Sequence, residues 1–316
     1  FVPTMYVRDY TRFPPVVASA VGFRKHGKTV FFGSLFHALR SQVLHERWPD
    51  LFTLALDDPS LATVIANMRL LDSGELPQAT PNNFPRPTLL RIANVPTLPD
   101  CTLAIYDLSG ESFKEAQRIQ TFARFVARAR TVLFLASIPQ LIDEHAQYGQ
   151  ALDHLLGAYV VGVQELGGNT REQNLVVVYT KADILAEHLN GWKALQDYVR
   201  SRAFDGLENM VQYRARLLET SMKLDEFTMR GLRAGNFLAT ARNNFRSVSF
   251  TIISSLGAAP NAKTNRLDLQ IAPVRVLDPL LMLMAGGPVD KGNGDEDNSG
   301  KGVIGQLIEK IRRLFE

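Results

Sequence analysis

Gly22-Phe23-Arg24-Lys25-His26-Gly27-Lys28-Thr29 has the spacing Gly-x-x-x-x-Gly-Lys-Thr, and its flanks decide how the whole chain is read. Before it, Pro15-Val16-Val17-Ala18-Ser19-Ala20-Val21 is a short apolar strand pattern, and after it residues 30–39 read as a helix. A triphosphate needs several N–H donors at once, and a tight loop feeding a helix N-terminus supplies them. Gly22 and Gly27 let the backbone approach, and Arg24, Lys25, His26 and Val30 complete the wrap around the phosphates. Lys28 is placed to reach the β- and γ-phosphate oxygens, and the Thr29 hydroxyl to take one position on Mg²⁺. The motif points to a nucleotide without naming the base.

Working outward, apolar runs alternate with amphipathic segments. Residues 59–74 are helical, with Leu61, Val64, Ile65, Met68 and Leu71 on one face and Gly74 as a stop. Residues 76–87 are rich in Pro and Asn and form a surface loop. Residues 88–95 and 101–106 are strands, joined by Pro96-Thr97-Leu98-Pro99-Asp100 as an antiparallel pair. Residues 111–130 are expected to be one helix with Phe113, Ile119, Phe122, Phe125 and Val126 inward. Buried strands at 131–138, closed by Pro139, and at 175–179 flank a helix at 143–166. Residues 192–243 are mainly helical with a break near Asp205-Gly206, residues 247–254 give a last strand, and a closing helix follows at 275–284. The expected fold is therefore α/β: a three-layer, P-loop-type domain over residues 1–285, its central sheet mostly parallel with one antiparallel edge strand and helices on both faces. Residues 286–302 are almost without apolar side chains and read as a flexible linker. In 303–316, Val303, Ile304, Leu307, Ile308, Ile311, Leu314 and Phe315 make one face of an amphipathic helix.

Composition narrows the function. The chain has 316 residues, is 46% hydrophobic and carries a net charge of +3, which gives no electrostatic footprint for nucleic acid. The single cysteine, Cys101, has no internal disulfide partner, which fits a reducing compartment and a buried apolar role. With no run of about 18 apolar residues and no signal-peptide pattern, a cytoplasmic location is expected. The opening Phe1 in place of Met is expected of a piece of a longer chain.

Ligands of α/β sheets bind beyond the strand ends, and three later strand ends carry matching chemistry. Asp107-Leu108-Ser109-Gly110 supplies a carboxylate to hold Mg²⁺ through water and a Gly110 N–H for the γ-phosphate. In Thr180-Lys181-Ala182-Asp183, the Asp183 carboxylate can accept from both the N1–H and the 2-amino group of guanine, a donor pair that adenine lacks. The stem of Lys181 can lie along the base plane, and Ser254-Ser255-Leu256 can offer a backbone N–H to the guanine O6. Each set alone is weak, since Asp-x-x-Gly is common and Thr-Lys-x-Asp also caps helices. Their order behind the P-loop selects GTP/GDP with Mg²⁺.

With these motifs the chain resembles the Ras-like, translation-factor-related GTPases over residues 13–285. It is most similar to the bacterial double-GTPase proteins, through Gly22 to Thr29, Leu76-Pro77-Gln78-Ala79-Thr80, Asp107-Leu108-Ser109-Gly110-Glu111 and Val276-Leu277-Asp278-Pro279-Leu280-Leu281. The resemblance implies GTP binding, Mg²⁺ and a role coupled to a protein effector or partner GTPase, in families linked to bacterial signalling and defence. It makes Thr80 the first candidate for the switch residue that binds Mg²⁺ and the γ-phosphate, with Thr88 second. Glu111 stands where Ras-like enzymes place the glutamine that orients the attacking water, and a carboxylate beside the γ-phosphate implies slow hydrolysis. Arg24 either acts as a cation in cis or, the preferred reading, points to solvent; His26 and His37 show no metal-binding pattern. For the C-terminal segment a protein partner is favoured over a membrane surface, because Glu309 and Glu316 dilute Lys310, Arg312 and Arg313, and folding back onto the domain stays open. Three functions compete: a hydrolysing switch, a GTP-binding scaffold that is half of a heterodimer, and an ATP-dependent enzyme such as a kinase, which Asp183 disfavours.

Overall fold

A computed structural model describes residues 2–78, 80, 85–138, 145–185, 191–261, 263–264, 266–268 and 270–286, with the backbone alone for 145–148 and 185. Ala79, Pro139, the expected linker beyond Gly286 and the 303–316 segment lie outside them.

Among the described residues seven strands form one sheet in the order β2-β3-β4-β1-β5-β6-β7: β1 Pro15–Val21, β2 Phe52–Ala55, β3 Thr88–Ala93, β4 Cys101–Tyr106, β5 Thr131–Ser137, β6 Asn174–Thr180 and β7 Ser247–Ile252. Only β3 runs against its neighbours, pairing antiparallel with β4 on one side and β2 on the other, which makes an antiparallel edge pair. All other pairings are parallel. β5 and β6 bury every residue, as strands covered on both faces must.

The helices are α1 Thr4–Arg8, α2 Lys28–Leu39, α3 Gln42–Arg47, α4 Asp58–Asp72, α5 Ala116–Phe122, α6 His145–Glu165, α7 Ala182–Leu185, α8 Lys193–Arg200, α9 Met210–Glu226, α10 Gly235–Asn244 and α11 Leu277–Met284. α5, α6 and α10 pack side by side, whereas α11 lies across β1, β5 and β6 with every residue buried. α2 is nearly as deep, with Phe31, Phe32, Leu35, Phe36 and Leu39 all in the core. At the β7 edge, α9 shields the strand, and the Ser221 Oγ accepts the Phe250 N–H at 2.8 Å, occupying an edge donor that would otherwise invite another strand.

Three sequence expectations change. Residues 111–130 are not one helix but a 3₁₀ turn at Gly110–Phe113, α5, and a second 3₁₀ turn at Arg124–Arg128. Phe113 and Ile119 are six residues apart, which on one straight helix places them about 120° apart in azimuth. A break at Glu115, in extended backbone, lets both side chains reach zero exposure, and a second break at Ala123 (φ −131°, ψ 28°) ends α5. The stretch at 192–243 breaks at Gly206 (φ 84°) as expected, and again after a π-turn at Phe227–Gly231, where Arg233 takes φ 52°. Finally, α1, α3 and β2 were not anticipated. α1 covers Leu56, Leu89 and Ala104 with Met5 and Tyr6. It is anchored by Arg91, which bonds Asp9 at 2.9 Å and stacks on Phe13 at 4.0 Å.

Candidate functional site

The parallel strands deliver their C-terminal ends to one edge of the sheet: Val21, Tyr106, Ser137, Thr180 and Ile252 close β1, β4, β5, β6 and β7. The loops beyond them build the site.

The P-loop turns through two left-handed residues, Lys25 at φ 68° and Gly27 at φ 82°, the second serving as N-cap of α2. Gly22 is dictated by space, since a Cβ there would lie 2.8 Å from the Leu135 carbonyl oxygen. That carbonyl also accepts from the His26 Nδ1 at 2.7 Å, and the His26 carbonyl accepts from the Thr180 Oγ1 at 3.1 Å. His26 is thus a buried, satisfied brace between the loop, β5 and the end of β6, as expected of a histidine without a metal pattern. Arg24 and Lys25 are exposed, and Val30 is half-buried in the first turn of α2. Lys28 is buried and donates to the Gly22 and Phe23 carbonyls, at 2.8 Å each. Burial pulls its pKa down to about 8 against the opposing pull of Asp107 and Glu111. A buried cation whose hydrogen bonds, among the described residues, go to neutral carbonyls is suited to receive an anion.

Thr29, Thr80 and Asp107 converge. The Thr29 and Thr80 hydroxyls are 3.0 Å apart, and the Thr80 Oγ1 donates to the Asp107 Oδ2 at 3.4 Å. The Asp107 Oδ1 is shut from solvent and has no hydrogen-bond partner among the described residues. Burial raises the carboxyl above its ordinary pKa, opposed by Thr29, Lys28 and Thr80. An orphaned carboxylate oxygen beside two hydroxyls is an all-oxygen donor set, and it fits a hard cation such as Mg²⁺. Thr88, the second candidate for the switch residue, is the buried first residue of β3 opposite Ile105, so the sheet removes it from this cluster.

Gly110 packs directly on the P-loop: a Cβ there would come 2.3 Å from the Arg24 nitrogen and 2.4 Å from the Phe23 carbonyl carbon. Glu111 follows in the 3₁₀ turn opened by Ser109, whose Oγ accepts the Glu111 N–H at 3.3 Å. Its carboxylate pairs with Lys114 at 2.9 Å, which lowers its pKa, with smaller help from Arg118 and Arg24.

At the other end, Thr180 is buried at the tip of β6, and Lys181 takes φ 63°. Burial lowers the Lys181 pKa, with Asp183 opposing and Lys25 adding to the fall, which places the two lysines in one field. The Asp183 Oδ1 accepts from the Ser254 Oγ at 2.5 Å, and that Oγ accepts from the Gly257 N–H at 2.9 Å. One expected role moves. The Ser254 N–H donates to the Val274 carbonyl at 3.0 Å, so a backbone donor for a base oxygen falls to Ser255 or Leu256. Sequence reasoning missed Ser34, whose Oγ donates to the Ser255 carbonyl at 2.6 Å and ties the base-side loop to α2. A serine inside an apolar helix carries no signal for a partner 221 residues away.

The profile of the Double-GTPase 2 family matches residues 16–224. Two crystal structures of the S. cerevisiae Ski7 GTPase-like domain, one bound to GTP and one to GDP and inorganic phosphate, align with TM-scores of 0.37 and 0.38 at 13% identity. The alignments cover 92% and 89% of this chain but 54% and 52% of those chains, so this chain spans about half their length. No curated protein is significantly similar to the chain.

Proposed function

Since this chain belongs to the Double-GTPase 2 family, we propose that it is a guanine-nucleotide switch that binds Mg²⁺-GTP and hydrolyses it slowly. The observation that carries the reading is that one edge of the sheet presents a buried Lys28, the Thr29–Thr80–Asp107 oxygen cluster and, across the His26–Thr180 brace, an Asp183 held by Ser254. Lys28 and the loop N–H groups hold the phosphates, and Thr29, Thr80 and Asp107 hold the metal, which when bound neutralises charge developing on the phosphate oxygens. Gly110 offers its N–H toward the γ-phosphate, and Asp183 reads the guanine ring. Thr80 joins the described site from a loop, so the state of the phosphates can be passed to that loop and read by a protein effector or partner GTPase.

A second reading, a GTP-binding scaffold with little turnover, is favoured by one contact. Glu111 is engaged by Lys114, so the side chain at the water-orienting position is both anionic and occupied. A cytoplasmic setting is part of the proposal; among the described residues no helix is long and apolar enough to cross a membrane.

The base assignment is tested by comparing GTP and xanthosine triphosphate on wild type and Asp183→Asn. The amide donates where the carboxylate accepted, so the variant is expected to prefer xanthosine triphosphate by about tenfold or more. Unchanged preference for GTP overturns the assignment. Phosphate release from Mg²⁺-GTP, alone and with a partner protein, separates the switch from the scaffold.

A further inference from the structure

The loop proposed to meet the base is held by a later stretch of chain that no nucleotide motif includes. Val274 and Ser254 exchange both backbone hydrogen bonds, at 3.0 and 2.8 Å, and the Ala272 N–H donates to the Leu256 carbonyl at 2.9 Å. Gly257 is pressed so closely that a Cβ would lie 2.3 Å from the Ala272 carbonyl oxygen. Residues 271–274 are therefore a strap along the Ser254–Leu256 loop.

The strap is fastened by ionic chemistry inside the core. Arg275 is 1% exposed and takes φ 59°, a left-handed turn that is costly for a non-glycine residue. Its guanidinium lies 4.3 Å from the Tyr198 ring centroid, donates to the Tyr213 hydroxyl at 3.3 Å and bonds the Ser201 Oγ. Asp278, fully buried at the start of α11, accepts from the Tyr198 hydroxyl at 2.5 Å and from the Tyr213 hydroxyl. Arg275 and Asp278 thus share two tyrosines from α8 and α9. Desolvation makes a buried ionic network a poor stabiliser, and apolar side chains of the same volume would serve stability as well or better. What apolar packing does not supply is direction: fixed bonds from the C-terminal end of the strap to two helices.

We propose that Arg275, locked by Tyr198, Tyr213 and Asp278, is a positioning residue for base recognition. It acts through Val274 on Ser254, and through Ser254 on Asp183 and on the N–H groups of Ser255 and Leu256. The inference rests on the guanine reading above and adds that selectivity for the base, not grip on the phosphates, depends on this buried lock. Lys28 and the P-loop form no part of it.

The experiment measures affinities of the full chain for Mg²⁺-GDP and Mg²⁺-ADP by competition with a fluorescent guanine nucleotide. The variants are Tyr213→Phe, which removes only the hydroxyl between Arg275 and Asp278, Arg275→Lys, and Gly257→Ala, which pushes the loop off the strap from the other side. The expected result is a fall of about tenfold in the GDP-to-ADP preference, with ADP affinity within about twofold of wild type. A preference that stays at the wild-type value in folded Tyr213→Phe and Gly257→Ala overturns the inference while leaving the guanine reading intact. So does a parallel loss of GDP and ADP that follows the drop in melting temperature. A wild-type protein without preference for GDP overturns the guanine reading and this inference together.

Discussion

Replacing Asp107 with Asn should stabilise the protein in the absence of nucleotide and abolish its response to magnesium. Among the described residues the carboxylate Oδ1 is sealed from solvent without a hydrogen-bond partner, while the carboxylate is bonded by Thr29 and, more weakly, by the Thr80 hydroxyl at 3.4 Å from Oδ2. The amide keeps the shape and drops the charge; it leaves a polar atom unpartnered, but taking away a buried, poorly bonded charge is worth about 1–3 kcal/mol. Asp107 also attracts Lys28, so the substitution removes part of that cation's compensation. Burial already pulls the Lys28 pKa down to about 8, so measuring above that pH lessens the offset. At about 2 °C per kcal/mol for a chain of this size, the melting temperature without nucleotide should rise by about 2–6 °C. Ligand at a hundred times its dissociation constant stabilises by about 2.7 kcal/mol. Wild type should therefore gain several degrees from GTP plus Mg²⁺ over GTP plus chelator, and Asp107→Asn should show no such increment. A variant that melts lower without nucleotide refutes the account of Asp107 as an uncompensated buried charge. One that keeps the magnesium increment refutes its role at the cation.

Gly110→Ala forces a Cβ against the Arg24 nitrogen and the Phe23 carbonyl carbon, both backbone, so the 3₁₀ turn must retreat by about 1 Å. The cost should be about 1–3 kcal/mol in chemical denaturation, and nucleotide affinity should weaken with it; a neutral substitution would show that the two loops are not packed. Asp9 has its pKa depressed to about 2, first by Arg8 and then by Arg91, so its contribution is present above pH 4 and lost as pH falls toward 2. Protease cleavage near α1 should accelerate across that window in wild type and should already be fast at pH 7 in Asp9→Asn. Cys101 is 1% exposed and burial pushes its thiol up to about 12, so it should resist alkylation at pH 8 until the protein is unfolded. Labelling at the rate of a free thiol would contradict its place in the core.

How much of this was legible in the sequence depends on whether a residue's role is local. The P-loop could be read because only Gly fits against the Leu135 carbonyl and only Gly turns freely at φ 82°. The central strands could be read because burial on both faces leaves continuous apolar runs such as Thr131–Ser137. β2 could not, since Phe52-Thr53-Leu54-Ala55 is four residues long and partly exposed throughout, which leaves no pattern to detect. The segment at 111–130 was over-read because its aromatic residues suggested one stripe, whereas their spacing needs two breaks. Thr80 is ranked above Thr88 by the resemblance alone, and the pairing of Thr88 with Ile105 supplies the physical reason that Thr88 stays out of the cluster. Ser34, Tyr198 and Tyr213 act across 62 to 221 residues of sequence, through side-chain contacts that composition and periodicity do not encode.

The two ends of the candidate site are not independent loops that happen to meet. Lys28 opens α2, and Ser34 stands six residues further along the same buried helix, a rise of about 9 Å. One end of that segment holds the P-loop carbonyls and the other holds the Ser255 carbonyl, so a rigid rod spaces the phosphate grip from the base-side loop. The His26–Thr180 bond repeats the link on the strand side, between the P-loop and the segment that carries Asp183. Such a frame accepts a ligand of fixed length with charge at one end and a hydrogen-bonding ring at the other, and is poorly suited to one that is shorter or flexible. Two of the proposed residues stand outside the frame: Thr80, which meets Thr29 and Asp107, and Glu111, whose carboxylate pairs with the exposed Lys114. On the proposed reading, recognition rests on packed helices and strands, and switching on residues that stand outside that frame.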